Sequence, residues 1–321
     1  MADQNSAVPF RNILAPTDFS EHAAGALGRA VALAEKTGAS VTVAHVIPDE
    51  VVAASVPGTS FATHWEIPTA DLKQAEKKLV EEAMQRLIHW IEPFKKAGRG
   101  PLNAEVLVGV PFVEIIRAVT RNRHDLVVAG TRGLGAVGRL LVGSTAERLV
   151  RKCPCPVWIV HPQHEWPLRS ILVPVDLSPV SAQCLETAAE LARESACTVT
   201  ALHVFNLPAV AVPAPVTVPP PAEESTDRRA GRQAAAKRLD AFVHACQVAG
   251  VAVQQQLAVG VPWRAIVRIA DRIDASLIVM GSAARSGIPG FLIGNTAEKV
   301  LRQCKRSILT RKPDGFVTPV Q

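Results

Sequence analysis

Gly130-Thr131-Arg132-Gly133 is followed, after a gap of nine residues, by Gly143-Ser144-Thr145. Glycines lack a Cβ, so the backbone can turn sharply and come close to phosphate oxygens. Successive N–H groups turned to one side make an anion-binding nest. Gly143 leads into a stretch that reads as a helix start, where the first amides have no internal partner and the dipole favours an anion. Ser144 and Glu147 have the spacing of a capping box, and the hydroxyls of Ser144 and Thr145 can donate to phosphate. A carboxylate, Asp18, follows Pro16 and Thr17 after the apolar run Ile13-Leu14-Ala15. It can accept from an adenine amine or a ribose hydroxyl. It can equally cap the next helix, and residue types alone leave both readings open.

These groups need elements to hold them. Ile13-Leu14-Ala15 reads as a buried parallel strand. A helix is expected from about Ser20 to Thr37, with Ala23, Ala26, Leu27, Ala30, Val31 and Ala34 on one face and Gly38 ending it. Val41 to Ile47 is a second strand. A long helix runs from about Thr69 to Lys96 and is expected to be disturbed at Pro93. Ala104 to Val108 is strand three, Pro111 opens a helix, and Leu126 to Ala129 is strand four. A helix begins near Ser144, and Val157 to Val160 is strand five. This β-α alternation gives an α/β fold with a parallel, doubly wound sheet. Ligands in such sheets sit beyond the carboxyl ends of strands, where the strand order reverses. Strands one, two and four are the ends to search. Two long loops follow second strands, residues 48–68 and the proline-dense 205–226; each is a flap over a site or a solvated connection.

The chain repeats itself. At an offset of 158, Arg11, Ile13, Leu14, Pro16, Asp18, Ser20, Val41, Thr42, His45 and Val46 match Arg169, Ile171, Leu172, Pro174, Asp176, Ser178, Val199, Thr200, His203 and Val204. At an offset of 151, Gly109-Val110-Pro111, Gly130, Gly143, Thr145-Ala146-Glu147 and Cys153 match Gly260-Val261-Pro262, Gly281, Gly294, Thr296-Ala297-Glu298 and Cys304. The second copy is thus seven residues shorter between its second strand and the Gly-Val-Pro turn. A period this long means two domains, 1–162 and 163–321, with the boundary near His161-Pro162-Gln163-His164.

The spacing G-x2-G-x9-G-[ST], with Pro-x-Asp after strand one and His-Val ending strand two, resembles the ATP-binding class of the universal stress protein family. The likeness spans both halves. It implies two five-stranded sheet domains of the adenine nucleotide alpha hydrolase type, with ATP at the carboxyl edge and Mg2+ carried on its phosphates. By that resemblance Pro16, Thr17, Asp18 and Val46 surround the adenosine. Ala129, Gly130, Arg132, Gly133, Gly143, Ser144 and Thr145 line the ribose and phosphates. Strand five pairs across domains or subunits in this family, which implies a pseudo-dimer or a homodimer.

The second copy departs from the pattern. Ala284 stands in place of the second glycine and Asn295 in place of the serine. If that glycine position needs positive φ, alanine costs on the order of 1 kcal/mol. Asn295 and Glu298 keep capping-box spacing. The stretch from Arg285 to Glu298, RSGIPGFLIGNTAE, and the end KPDGFVTPV resemble a tandem-domain branch of the same family, in which one half can be a degenerate scaffold or bind another ligand. The expected role is an ATP-binding stress-response regulator acting through conformation or assembly; the alternative is a nucleotide-independent scaffold for an unidentified protein partner.

Composition narrows the rest. Hydrophobic residues make up 48% and charged residues 20% of 321 residues, which excludes global disorder. The net charge of +6 is modest and scattered, without a nucleic-acid reader motif. The first residues, MADQNSAVPFRN, lack an apolar signal core, and no apolar run is long enough to span a bilayer, so a cytoplasmic location is expected. No Gly-x-Ser-x-Gly elbow and no P-loop lysine occur, and no enzyme is expected. His45 and His203 read as structural residues of a repeated strand. Six cysteines suit a reducing compartment; Cys153-Pro154-Cys155 has no second pair to complete a zinc framework.

Overall fold

The computed structural model describes residues 10–56, 68–97, 100–133, 142–162, 167–205, 226–246, 248, 250–282 and 294–320. The first half runs β1 (Asn12–Thr17), α1 (Glu21–Thr37), β2 (Ser40–Ile47), α2 (Asp49–Ala54), α3 (Thr69–Ala97), β3 (Leu102–Val108), α4 (Pro111–Asn122), β4 (Leu126–Gly130), α5 (Ser144–Lys152) and β5 (Val157–Val160). The second half repeats the plan without a counterpart of α2 among the described residues. It runs β6 (Ser170–Val175), α6 (Pro179–Ser195), β7 (Thr198–Phe205), α7 (Thr226–Ala245), β8 (Val253–Val259), α8 (Pro262–Arg272), β9 (Leu277–Gly281), α9 (Asn295–Gln303) and β10 (Ser307–Arg311).

Local chemistry explains the element ends. Ser20 caps α1 by accepting the Ala23 amide, and Gly38 closes it at φ 70°, a left-handed conformation that glycine adopts without a steric cost. Pro111 and Pro262 open α4 and α8 where no N–H is needed. Helix α3 continues through Pro93, and the segment after β2, expected as loop, first forms the short helix α2. The remainder of that loop, 57–67, and residues 206–225, on which the flap reading rests, lie outside the described residues.

The ten strands form one sheet in the order β3-β2-β1-β4-β5-β10-β9-β6-β7-β8. Every pairing is parallel except that between β5 and β10, which is antiparallel. Strand-five pairing therefore occurs within one chain and joins the two halves. Apolar runs in the strands serve two faces. Ile13 and Leu14 are both fully buried, but Ile13 packs in the core under α1, α3, α6 and α7, whereas Leu14 packs in the core under α4, α5, α8 and α9. Each such side chain contributes about 1.5–3 kcal/mol of burial. Trp158 of β5, opposite Leu309 of β10, fills the junction with no exposure.

Candidate functional site

The chain steps outward from β1 to β2 and β3, then returns to place β4 on the other side of β1. Ile13 and Leu14 pair with Leu126 and Val127, so the order reverses between β1 and β4. A crevice opens at the carboxyl ends of two such strands. The residues after β1 and after β4 therefore meet there, although more than a hundred positions separate them.

From β1, Pro16 is partly exposed and Thr17 is buried. Both polar groups of Thr17 are engaged: its Oγ1 accepts the Phe19 amide at 2.9 Å, and its carbonyl accepts His45 Nδ1–H at 2.9 Å. The Asp18 Oδ1 accepts the Ser20 amide at 3.1 Å. Asp18 thus does not cap α1; Ser20 does, and Asp18 shapes the turn before it. Phe19 takes φ 65°, as does its counterpart Leu177. Held left-handed in both halves, this residue turns the chain so that the preceding carboxylate faces the β4 loop.

From β4, Gly130 ends the strand beneath α1. A Cβ there would lie 2.7 Å from the carbonyl carbon and oxygen of His22. Gly133 presses against Asp18, where a Cβ would lie 2.2 Å from Oδ2. Neither glycine has a positive φ. The sharp-turn reason expected for them is therefore replaced by close approach: of a helix at Gly130 and of a carboxylate at Gly133. The supposed left-handed cost of alanine at the matching position loses its basis for the same reason; Ala284 itself lies outside the described residues. Arg132 lies between the two glycines, partly exposed.

Helix α5 begins at Ser144, with Gly143 as its N-cap and no side-chain cap. The expected capping box is absent. Ser144 occupies the first helical position, so Glu147 falls one residue too far along to reach back. The same correction applies to Asn295 and Glu298, since Gly294 is the N-cap of α9. The Gly143 amide donates to the Thr131 carbonyl at 2.7 Å, and Gly294 repeats this toward Ser282 at 2.9 Å. That bond pins the helix mouth to the β4 loop. The amides of Ser144, Thr145 and Ala146 are the ones helix geometry leaves to an outside acceptor. Ser144 is exposed and Thr145 half-buried. Val46 and Ala129 are buried in the core under α4 and α5, so they form a floor rather than an open wall.

The structure thus brings Asp18, Gly130, Arg132, Gly133, Gly143, Ser144 and Thr145 to one edge, with Pro16, Thr17, Val46 and Ala129 behind them. His45 is a structural residue. Burial lowers its pKa, its Nδ1–H is held by Thr17, and its ring lies 4.5 Å from that of Phe19. Sequence reasoning missed His22, whose Nδ1 lies 3.3 Å from the Oγ1 of buried Thr131. It also missed what anchors α5. Glu147 and Arg151 of α5 and Glu298 and Arg302 of α9 form a closed ring of ion pairs at 2.8–3.3 Å. Burial raises the pKa of Glu147, but hydrogen bonds from Arg302 and Arg151 outweigh it and hold the carboxyl low. Lys312, from the end of β10, donates to the carbonyls of Val150 and Arg151 at 2.7 and 2.9 Å, closing the far end of α5. The repeat of Glu and Arg at offset 151 was the available signal.

A duplicated, doubly wound sheet with a glycine loop and a helix mouth without a side-chain cap at its switch point defines a tandem α/β protein. The family model of the universal stress protein family matches twice, over residues 9–161 and 167–311, and the chain belongs to that family. "Universal stress protein E" of Photorhabdus laumondii is 30% identical over 230 residues, covering 66% of this chain and 68% of that protein. "Universal stress protein E" of Escherichia coli K12 is 26% identical over 97% of both chains. The crystal structure of a universal stress protein from Archaeoglobus fulgidus shares the fold, with a TM-score of 0.59 and 22% identity over 94% of this chain and 98% of that one. Among the described residues no helix is long and apolar enough to cross a membrane, and no group of three or more His, Cys, Asp or Glu could hold a metal.

Proposed function

We propose that the first half binds an adenine nucleotide, ATP with Mg2+ carried on its phosphates, and that the protein is a nucleotide-responsive stress regulator rather than an enzyme. The observation that carries this reading is the convergence of Asp18, the Gly130–Gly133 loop and the uncapped α5 mouth at one switch point. The donor set suits the ligand. Amides of Ser144, Thr145 and Ala146 and the hydroxyls beside them suit phosphate. The Asp18 carboxylate would repel phosphate and suits a ribose hydroxyl or base amine. A metal ion would ride on the nucleotide, since the described residues offer no cage for one. With β5 already paired to β10, we read the chain as its own pseudo-dimer, and the second half as a partner that braces α5 through Glu298, Arg302 and Lys312.

The test is native mass spectrometry of the purified protein together with titration calorimetry against Mg-ATP. One nucleotide per chain, abolished by joint substitution of Gly133 and Ser144, supports the reading. A protein that carries no adenine nucleotide and gives no heat at millimolar Mg-ATP overturns it. One observation favours a second reading, a nucleotide-independent scaffold. The Gly143 amide is already spent on Thr131, which leaves fewer donors than the sequence promised. Partner capture that survives loss of nucleotide binding would select it.

A further inference from the structure

Two thiols stand together at the turn between α5 and β5. The Sγ atoms of Cys153 and Cys155 are 3.5 Å apart. The other four cysteines have no thiol neighbour among the described residues. Burial pushes Cys184 up to about 12 and Cys197 and Cys304 to about 11. The pair is peculiar to the first half. Cys304 matches Cys153, but Arg306 stands where Cys155 would be matched.

The surroundings are built from both halves. Cys153 is fully buried, and its amide closes α5 by donating to Leu149. Cys155 is partly exposed. Lys312 is buried, with its Nζ on the last-turn carbonyls of α5 and the Phe316 ring at 4.7 Å. Burial lowers its pKa to about 8, which still leaves the ammonium charged at neutral pH and places a cation beside the pair. The hydrogen bond with Cys153, and then burial, raise Cys155 well above the ordinary thiol range. Cys155 therefore keeps its proton at neutral pH, and its thiolate becomes available only as pH rises.

We propose that Cys153 and Cys155 are a redox-active dithiol that a hydroperoxide converts to an intramolecular disulfide at the junction of the two halves. Cys155 is the partly exposed sulfur, the one a hydroperoxide can reach, and the reaction runs faster as pH rises because the raised pKa keeps its thiolate scarce near neutrality. The Cys155 thiolate attacks the hydroperoxide, its sulfur takes one oxygen as a sulfenic acid, and the alkoxide or hydroxide that leaves takes up a proton. Cys153 then attacks the Cys155 sulfur and expels the oxygen as water, its own thiol proton included. Two thiols and one hydroperoxide give one disulfide, one alcohol or water, and one water. The sulfurs need approach by only about 1.5 Å to reach bonding distance. Cys153 ends α5 and Val157 begins β5, so the bond would lock the turn that links the α5 helix to the β5–β10 seam.

The experiment treats the whole protein with graded hydrogen peroxide, blocks remaining thiols with N-ethylmaleimide and maps peptides by mass spectrometry. The expected result is a loss of about 2 Da on the peptide holding both cysteines, reversed by dithiothreitol, with the Cys304 peptide alkylated as a free thiol. In Cys153→Ser the loss disappears, and a dimedone-trapped sulfenic acid accumulates on Cys155. The Lys312→Met variant, an isostere without charge, slows disulfide formation at least several-fold. Circular dichroism checks that each variant is folded; Cys155→Ser, at the more exposed position, is the fallback if Cys153→Ser is not. Stepwise gain of oxygen on either cysteine without the 2 Da loss overturns the proposal. So does alkylation of both thiols when the treatment is repeated at alkaline pH with peroxide levels that oxidise free cysteine.

Discussion

Replacing Gly133 by alanine tests the contact on which the first-half site depends. The new Cβ would stand 2.2 Å from Asp18 Oδ2 and 3.2 Å from its Cγ. A carbon and an oxygen in contact need about 3.3 Å, so the carboxylate must withdraw by about 1 Å. Its other oxygen holds the Ser20 amide at 3.1 Å, and Ser20 caps α1. A hydrogen bond to a charged group contributes about 1.5–3 kcal/mol. Asp18 is only half-buried, so the low end applies, and Gly133→Ala is expected to lose about 1–2 kcal/mol by urea denaturation. Binding of Mg-ATP, measured by calorimetry, should weaken about 10-fold, since 1.4 kcal/mol is a factor of ten. Gly143→Ala is the control for stability. Its Cβ would meet Thr131 O at 3.6 Å, an ordinary contact, and unfolding should change by less than about 0.5 kcal/mol. In an Asp18→Ala background the Gly133 methyl has room, and its cost to stability should vanish. Gly133→Ala with wild-type stability and affinity would refute the reasoning, because the carboxylate would then not be ordered against that loop.

Two further outcomes follow from the interdomain seam and from two imidazoles, one half-buried and one buried. Arg302→Ala removes two 3.0 Å bonds, to Glu147 and Glu298, from the ion-pair ring. Its side chain is 48% exposed, so screening limits the loss to about 1 kcal/mol, and the deficit in Tm should shrink in roughly 0.5 M salt; a deficit insensitive to salt would point to lost packing instead. Burial lowers the pKa of both His45 and His124 below the ordinary 6.5. The unfolded chain then binds the proton first, so Tm should fall as pH drops below about 6.5 and through the lowered values, and His124→Gln should remove part of that slope. A Tm flat between about pH 7 and pH 5 contradicts the assignment.

Much of the architecture was legible because it is written in local chemistry. Ile13-Leu14-Ala15 ends at Pro16, Gly38 closes α1 and Pro111 opens α4, and each of these signals acts within a few residues. The short helix α2 was not foreseen, since Pro48-Asp49-Glu50 resembles an ordinary loop opening. At the site, the glycine spacing located the right segments but gave the wrong reasons for two glycines. What bars a side chain at Gly130 is the His22 backbone, and at Gly133 the Asp18 carboxylate. Both obstacles come from more than a hundred residues away, and no local pattern reports them. The capping box failed by one residue. Glu147 has better partners in Arg151 and Arg302, and the latter belongs to the other half.

The amino-acid order by itself determined the duplicated α/β plan, the carboxyl-edge loops and the residue types they carry. Periodicity, caps and turn residues are short-range physics, and two copies of the same pattern reinforce each other. Only the tertiary structure decided which groups face one another. It set Asp18 against Gly133, built the four-membered ion ring between α5 and α9, and placed Lys312 beside the Cys153–Cys155 pair. The first follows from the pairing of β1 with β4, whereas the other two depend on the antiparallel seam of β5 and β10, which lets the end of the second half reach the end of a first-half helix. Contacts across such a seam are selected by shape and charge in space, and distance along the chain carries no record of them.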